Sequence, residues 1–279
     1  MSTLTASFHR RLGAPSLLAY VGGALCLFWL VVALAAPWLA PYDPIAQDLK
    51  ATLQPPNAAH LLGTDNFGRD ILSRIIWGTR LDLQMGVFGV FFPFVIGTTI
   101  GVASGYLGGI VDVLLMRLLD VTISFPFFVL IIAIVAVLGP GLMSFYVALA
   151  LVGWVSYARL VRSRVIVLKH ADFVMAARSL GFSGPRIAFR HILPNAIMPA
   201  IVFSVSDAVI DIVLGSSLSY LGLGIQPPTP EWGLMIAEGQ TFIATAWWMT
   251  GFPGLAIMLL ATGFSLLADG FAEKLGLRE

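Results

Sequence analysis

No charged residue lies between Arg11 and Asp43, between Asp82 and Asp112, between Asp120 and Arg159, or between Glu238 and Asp269. A membrane-crossing helix needs about 20 consecutive, mostly apolar residues. Each gap is long enough for one such helix, and the gap after Asp120 is too long for only one. Gly139-Pro140-Gly141 divides it, since a triplet of this kind makes a turn. A further apolar run from Asn195 to Gly224 is interrupted only by Asp207 and Asp211. The pattern predicts six spans, at about 17–39, 84–106, 113–138, 143–165, 196–222 and 246–268. The expected class is an all-α membrane protein.

Composition points the same way. Apolar residues make up 58% of the chain and charged residues 11%, against about 45–50% and 25% in soluble domains. So little polar surface cannot coat a soluble globule, which excludes a cytosolic enzyme and a disordered chain. A net charge of +1 offers no basic field for nucleic acid. Cys26 stands alone, so neither a disulfide framework nor a cysteine metal site is possible. His9-Arg10-Arg11 precedes the first span as an n-region would. That span is longer than the roughly 7–15 residues of a signal core, so we read it as a retained helix.

Lys and Arg set the orientation. With the N-terminus inside, the inner set holds Arg10, Arg11, Arg159, Arg162, Arg164, Lys169, Arg178, Arg186, Arg190, Lys274 and Arg278. The outer set is Lys50, Arg69, Arg74 and Arg80, with Asp43, Asp48, Asp65, Asp70 and Asp82 among them. Both termini are therefore expected on the cytoplasmic side. One long loop runs outside at about 40–83, another inside at about 166–195, and an outer stretch at about 223–245. The organisation this suggests is an N-terminal region, 1–83, with the first helix and outer loop, followed by a five-helix core, 84–279. No internal repeat is visible.

Several chemistries lack their residues. A phosphate-binding P-loop needs Gly-Lys followed by Ser or Thr. Here Lys50, Lys169 and Lys274 are followed by Ala51, His170 and Leu275. The chain therefore cannot hydrolyse ATP by that route. HExxH is absent and His9, His60, His170 and His191 are scattered, which argues against a metal site. No Gly-x-Ser-x-Gly elbow is present. No catalytic residue and no bound cofactor is expected.

The inner loop reads ADFVMAARSLGFSGPRIAFRHILPN over 171–195. Asp172 is a plausible N-cap. Phe173, Ala176, Ala177 and Leu180 fall at i, i+3, i+4 and i+7, one helical face. Gly181 suits the left-handed position after a helix end. Ser183 or Gly184 can cap a second helix with Pro185 at its first position, and that helix should stop before Pro194. Two short helices joined by a glycine turn would lie under the membrane, either as a plain amphipathic connector or as a face narrow enough, at Ala176 and Ala177, for a partner backbone to approach.

Ala176-Ala177, Gly181 and Leu193-Pro194 resemble the "EAA" loop of ABC importer permeases. The wider sequence is similar to the second permease of dipeptide, oligopeptide and nickel importers. The matching strings run in order along nearly the whole chain: His60-Leu61-Leu62-Gly63-Thr64-Asp65, Gly68-Arg69-Asp70, Ser73-Arg74, Asp112, Met116-Arg117, Asp120, Phe125-Pro126, Tyr157-Ala158-Arg159, Arg162, Arg190-His191-Ile192-Leu193-Pro194-Asn195, Leu218 to Gly224, Pro227-Pro228 and Trp232-Gly233. The resemblance implies a type I importer permease in the bacterial inner membrane. It implies a second homologous permease, two ABC ATPase subunits holding ATP and Mg, and a periplasmic binding protein as partners. Phe173, Ala176, Ala177, Leu180, Gly181, Arg190, Leu193 and Pro194 would then form the loop that couples to an ATPase. Met175 stands where that loop commonly has Glu, and Gly215 where Glu is frequent before the Leu-Ser-aromatic-Leu-Gly run.

Other residues carry weaker expectations. Ile71, Leu72, Ile75 and Ile76 form one stripe of a short outer helix, with Trp77 suited to the membrane interface. Arg69, Asp70 and Arg74 beside it are local ion pairs, or part of a periplasmic gate or docking surface. Arg117 and Asp120, at i and i+3, can pair. Asp207 and Asp211 share a face at membrane depth, where ionisable groups are costly and usually meet a cavity or partner. They are candidates to line the translocation path and meet a peptide ammonium group. Gly101, Gly105, Gly108 and Gly109 suit close helix packing. The expected function is ATP-driven import of di- or oligopeptides. The rival readings are nickel or another small solute in the same family, a gradient-driven secondary transporter, or a membrane enzyme.

Overall fold

The computed structural model describes residues 17–274. Arg10, Arg11 and Arg278, used above for orientation, lie outside the described residues. Within them the chain is all-helical, apart from one isolated antiparallel bridge between Thr64 and Asp70. The helices are α1 Leu17–Leu39, α2 Ile71–Leu107, α3 Gly109–Ile123, α4 Phe127–Leu138, α5 Leu142–Val152, α6 Trp154–Leu168, α7 Asp172–Ser179 and α8 Gly184–Arg186. A π-helical stretch, Ile187–Ile192, leads into α9 Leu193–Ala196. Then follow α10 Met198–Tyr220, α11 Trp232–Gly239, a 3₁₀ turn Gln240–Phe242 and α12 Trp248–Lys274. Five helical stretches among the described residues are long and apolar enough to cross a membrane, with α5 and α6 taken together over Leu142–Leu168, or six if the bent pair α3–α4 also counts as one.

The second span is longer than the charge gap suggests. It begins at Ile71 rather than 84, and runs for 37 residues. Asp70 starts it: its Oδ2 accepts the Ser73 backbone N–H at 2.8 Å and the Ser73 hydroxyl at 2.7 Å. The stripe Ile71, Ile75 and Ile76 is buried, but in the first turns of this long helix and not in a separate helix lying along the interface. The outer loop accordingly ends at 70. The charges that masked this extension, Arg74 and Asp82, are buried against protein groups rather than exposed.

The third span is also not one straight rod. α3 and α4 meet at an 86° bend across Ser124-Phe125-Pro126. Pro126 has no N–H to continue the ladder, and the Ser124 hydroxyl closes the end of α3 by donating to the Asp120 carbonyl at 2.8 Å. The turn at Gly139-Pro140-Gly141 stands where expected, between Leu138 and Leu142.

Contacts divide the chain into two interleaved units. The first is built from the described parts of Met1–Val87, Val135–Phe145 and Val205–Glu279. Its core gathers Trp29, Ile71, Ile75, Ile212, Trp232, Trp248, Met249 and Leu260. In it α1 lies backbone to backbone on α12. A β-carbon on Gly22 would overlap the Leu267 amide, and one on Gly270 would overlap Ala19. Small residues at such seams are how helices approach closely in lipid. The second unit comprises Phe88–Ile134 and Tyr146–Ser204. Its core includes Val102, Tyr157, Val161, Val165, Val174, Ala177, Ile187 and Ile192. Here the end of α2 packs on α6 through Gly97, Gly101 and Gly105, one turn apart. A β-carbon on Gly101 would come within 2.7 Å of the Ala158 carbonyl oxygen and one on Gly105 within 3.0 Å of that of Arg162.

Candidate functional site

The inner loop starts three residues after α6. Ala171, in extended conformation, is the N-cap of α7, and Asp172 occupies the first helical position instead of the cap. The helix ends as expected. Gly181 has φ +76°, its N–H donates to the Arg178 carbonyl at 2.9 Å, and the Phe182 N–H donates to that of Ala177 at 3.2 Å. This is the paired 6→1 and 5→2 bonding of a Schellman cap. Ser183 then begins α8, with Pro185 in its first turn.

Two expectations for this loop need correcting. The second helix does not stop before Pro194. The Leu193 N–H bonds back to Ala188, five residues earlier, so the ladder shifts to π spacing and carries through Pro194 into α9. Proline lacks the donor that a regular ladder would need there. Of the predicted stripe, Ala177 alone turns inward. Val174 and Ala177 are the buried positions of α7. Phe173, at 42%, and Leu180, at 73%, are exposed, and so is Ala176. Met175, Phe189, Arg190 and Pro194 are exposed as well, and Leu193 is half-buried. The predicted stripe is thus an outward-facing apolar rim on a helix held from behind by Val174 and Ala177. Phe182 stacks on His191 at 5.5 Å, with the Arg186 guanidinium 4.5 Å over the Phe182 ring.

In the first unit, Arg69, Asp70 and Arg74 are all buried. Arg69 Nε donates to Asp65 Oδ2 at 2.5 Å, and Arg69 Nη2 donates to Glu238 Oε2 at 2.9 Å. Arg74 Nη2 donates to the same Glu238 oxygen at 3.0 Å. Asp70 accepts from Ser73 and meets His60 Nδ1 at 3.0 Å. These groups face one another, not solvent, and they pin the 43–70 loop to α11. Gly63 and Gly68, with φ +78° and +73°, make the turns that this loop needs. The Trp248 indole N–H donates to the Thr64 carbonyl at 3.0 Å.

Asp207 and Asp211 lie on α10, one turn apart, as their spacing predicts. Asp211 is buried and its Oδ2 has no hydrogen-bond partner. It shares a face with Ala208, Ile212 and Gly215, and this face meets α2: a β-carbon on Gly86 would crowd Ile212, and one on Gly215 would overlap the Met85 sulfur. Met85 thus fills the space a Glu at 215 would claim. Asp207 is half-buried.

Two polar constellations were missed from sequence. Asp82 on α2 accepts from the Ser216 hydroxyl and the Trp232 N–H, each at 3.4 Å. Glu231 caps α11 by accepting the Gly233 and Leu234 N–H groups at 2.8 Å each. Burial pushes the Glu231 carboxyl above its ordinary value, against the pull of those two N–H donors. In the second unit, Asp112 on α3 is gripped by Arg162 on α6, Nε to Oδ1 at 2.6 Å and Nη2 to Oδ2 at 2.7 Å. The pairing expected of Arg117 and Asp120 is only a 3.8 Å contact between exposed groups. Among the described residues no cluster of three or more potential metal ligands occurs.

Residues 97–278 match the family described as "binding-protein-dependent transport system inner membrane component". The chain belongs to that family. Residues 17–56 also match the N-terminal transmembrane domain of oligopeptide transport permease C. Among curated relatives, this permease is 42% identical over 258 residues to the dipeptide transport system permease protein DppC of Alkalihalophilus pseudofirmus, covering 92% of this chain and 85% of that one. It is 39% identical to the probable D,D-dipeptide transport system permease protein DdpC of Escherichia coli K12, covering 94% and 88%. It is 41% identical to the glutathione transport system permease protein GsiD of Pectobacterium atrosepticum, covering 92% and 86%. Among solved structures, a chain of the inward-facing MetNI methionine ABC transporter superimposes with a TM-score of 0.58 at 18% identity, covering 71% of the permease and 94% of that chain. That likeness concerns the fold alone.

Proposed function

We propose that this chain is the membrane-embedded permease subunit of an ABC importer for di- or oligopeptides, working in a bacterial inner membrane. Relatives named for dipeptide transport, matched over more than nine-tenths of this chain, support the substrate class. The Lys and Arg bias supports cytoplasmic termini. The observation that carries the coupling role is the inner loop: a Schellman-capped helix, buried on Val174 and Ala177, offering Phe173, Ala176 and Leu180 outward. An ATPase docked there would hold the ATP and Mg. Closure of an ATPase pair would push the loop and shift the permease, with a second homologous permease, between inward- and outward-facing states. A periplasmic binding protein would deliver substrate to the other side. Arg69, Asp70 and Arg74 would act there by bracing the outer loop rather than by touching the partner. Asp207 and Asp211 would line the path and meet the peptide ammonium group.

The test is recovery of the tagged chain from mild detergent, followed by mass spectrometry. A second permease and a P-loop ATPase should come with it. A chain that arrives alone and moves solute in liposomes without ATP would overturn the reading in favour of a secondary transporter. Competition of nickel, but not of dipeptides, for uptake would move the substrate within the family.

A further inference from the structure

We infer that the Asp112–Arg162 pair is a positioning clamp that makes the inner loop and the helices behind it one mechanical body. This rests on the coupling role proposed for the loop. Arg162 lies in the second half of α6 (Trp154–Leu168), whose end leads through Lys169 into the loop helix α7 at Asp172. Gly108 and Gly109, with φ +65° and +55°, reverse the chain so that Asp112, in the first turn of α3, folds back onto α6. Its carboxylate accepts both hydrogens of the Arg162 fork, at 2.6 and 2.7 Å, and also the Ser104 hydroxyl from α2. Lys169, the residue after α6, donates to the Gly105 carbonyl at the end of α2, at 3.0 Å. Three helices are therefore tied together where the loop begins. A planar guanidinium bound at both nitrogens fixes orientation as well as distance, which a lysine ammonium cannot do.

The loop is fastened to the same place. Val174, Ala177, Ile187 and Ile192 share a buried cluster with Val102 of α2 and Val161 and Val165 of α6. Along the α2–α6 seam, glycines bring backbone onto backbone and onto the branched side chains of Val161 and Val165, which leaves little room for the helices to slide. Without the clamp, the splayed ends of α2, α3 and α6 would take up part of the loop's displacement, and ATP hydrolysis would continue with less transport.

The test uses the full complex in lipid nanodiscs and proteoliposomes, with spin labels at Leu114→Cys and Ser179→Cys in a Cys26→Ala background. In the unclamped-variant comparison, Asp112→Asn removes the charge and Arg162→Lys keeps it while losing the fork. The unaltered clamp should give one narrow distance distribution, the same without nucleotide and with vanadate-trapped nucleotide. Both variants should broaden it. Both should also lower labelled Ala-Phe imported per ATP by about five-fold, with complex yield and the KM for ATP unchanged. A narrow distribution and an unchanged import-to-ATP ratio in both variants would overturn the clamp. So would a loss that tracks lost complex yield in Arg162→Lys. Clamped and broadened distances as expected, in a complex that imports no peptide even unaltered, would support the clamp and count against the peptide reading.

Discussion

Arg74 donates to Glu238 at 3.0 Å across 164 positions of sequence, and Arg69 donates to the same oxygen. Two buried guanidinium groups thus depend on Glu238 and Asp65 for their charge balance. Removing one carboxylate leaves an uncompensated buried cation, which costs about 3–5 kcal/mol. Glu238→Gln should therefore lower the melting temperature in detergent sharply, while Glu238→Asp should recover part of the loss. A melt unchanged in Glu238→Gln would show that the network contributes little.

Asp82 and Glu231 are both buried, and Asp82 accepts from the Trp232 N–H next to Glu231. Burial holds the Glu231 carboxyl above its ordinary value, so it keeps in the folded state a proton that the unfolded chain would release near neutrality. The folded state therefore binds more protons, and stability falls as pH rises. The contribution is fully present below about 4.3, the ordinary Glu value, and is lost as pH climbs through the raised value of Glu231. Glu231→Gln removes the titrating group while keeping an acceptor oxygen for the Gly233 and Leu234 N–H groups, and should flatten the pH dependence of the melt. Asp82→Ala should cost about 1–3 kcal/mol at all pH values, because polar groups are left unpaired.

Gly181 sits at φ +76° with nothing within 4 Å of where a β-carbon would be. Any L residue there pays only for the left-handed backbone, about 1–2 kcal/mol. Gly181→Ala should loosen the loop and leave most substrate-stimulated ATP hydrolysis. Gly181→Trp adds a bulky ring beside the exposed rim. It should leave membrane insertion intact and abolish stimulated hydrolysis. Normal stimulation in the Trp variant would remove this loop from the coupling path.

Asp207 and Asp211 give a prediction on substrate. Asn at both positions should lower uptake of peptides with a free amino terminus more than uptake of N-acetylated ones, as measured in reconstituted vesicles. Equal uptake of both by the variant and the parent would return the pair to a structural role.

The helical class, the positions of most spans and the Gly181 turn were legible because they follow from local rules: charge gaps, a proline-glycine turn and a left-handed cap. The start of α2 was not, because Arg74 and Asp82 read as solvated charges until their partners, Glu238 and Ser216, are brought from far along the chain. The bend at Pro126 was masked by uninterrupted apolarity. The inward turn of Ala177 was not legible, because periodicity groups it with Phe173, Ala176 and Leu180, while in the fold it pairs with Val174 against the protein. The Asp112–Arg162 pair, 50 positions apart, has no local signature at all.

The most direct test of the central claim is uptake of labelled Ala-Phe into proteoliposomes holding the reassembled complex with its binding protein. Uptake should require ATP on the ATPase side, stop with vanadate, and be indifferent to ionophores that collapse proton and sodium gradients. Uptake that persists without ATP and disappears with those ionophores would contradict the account.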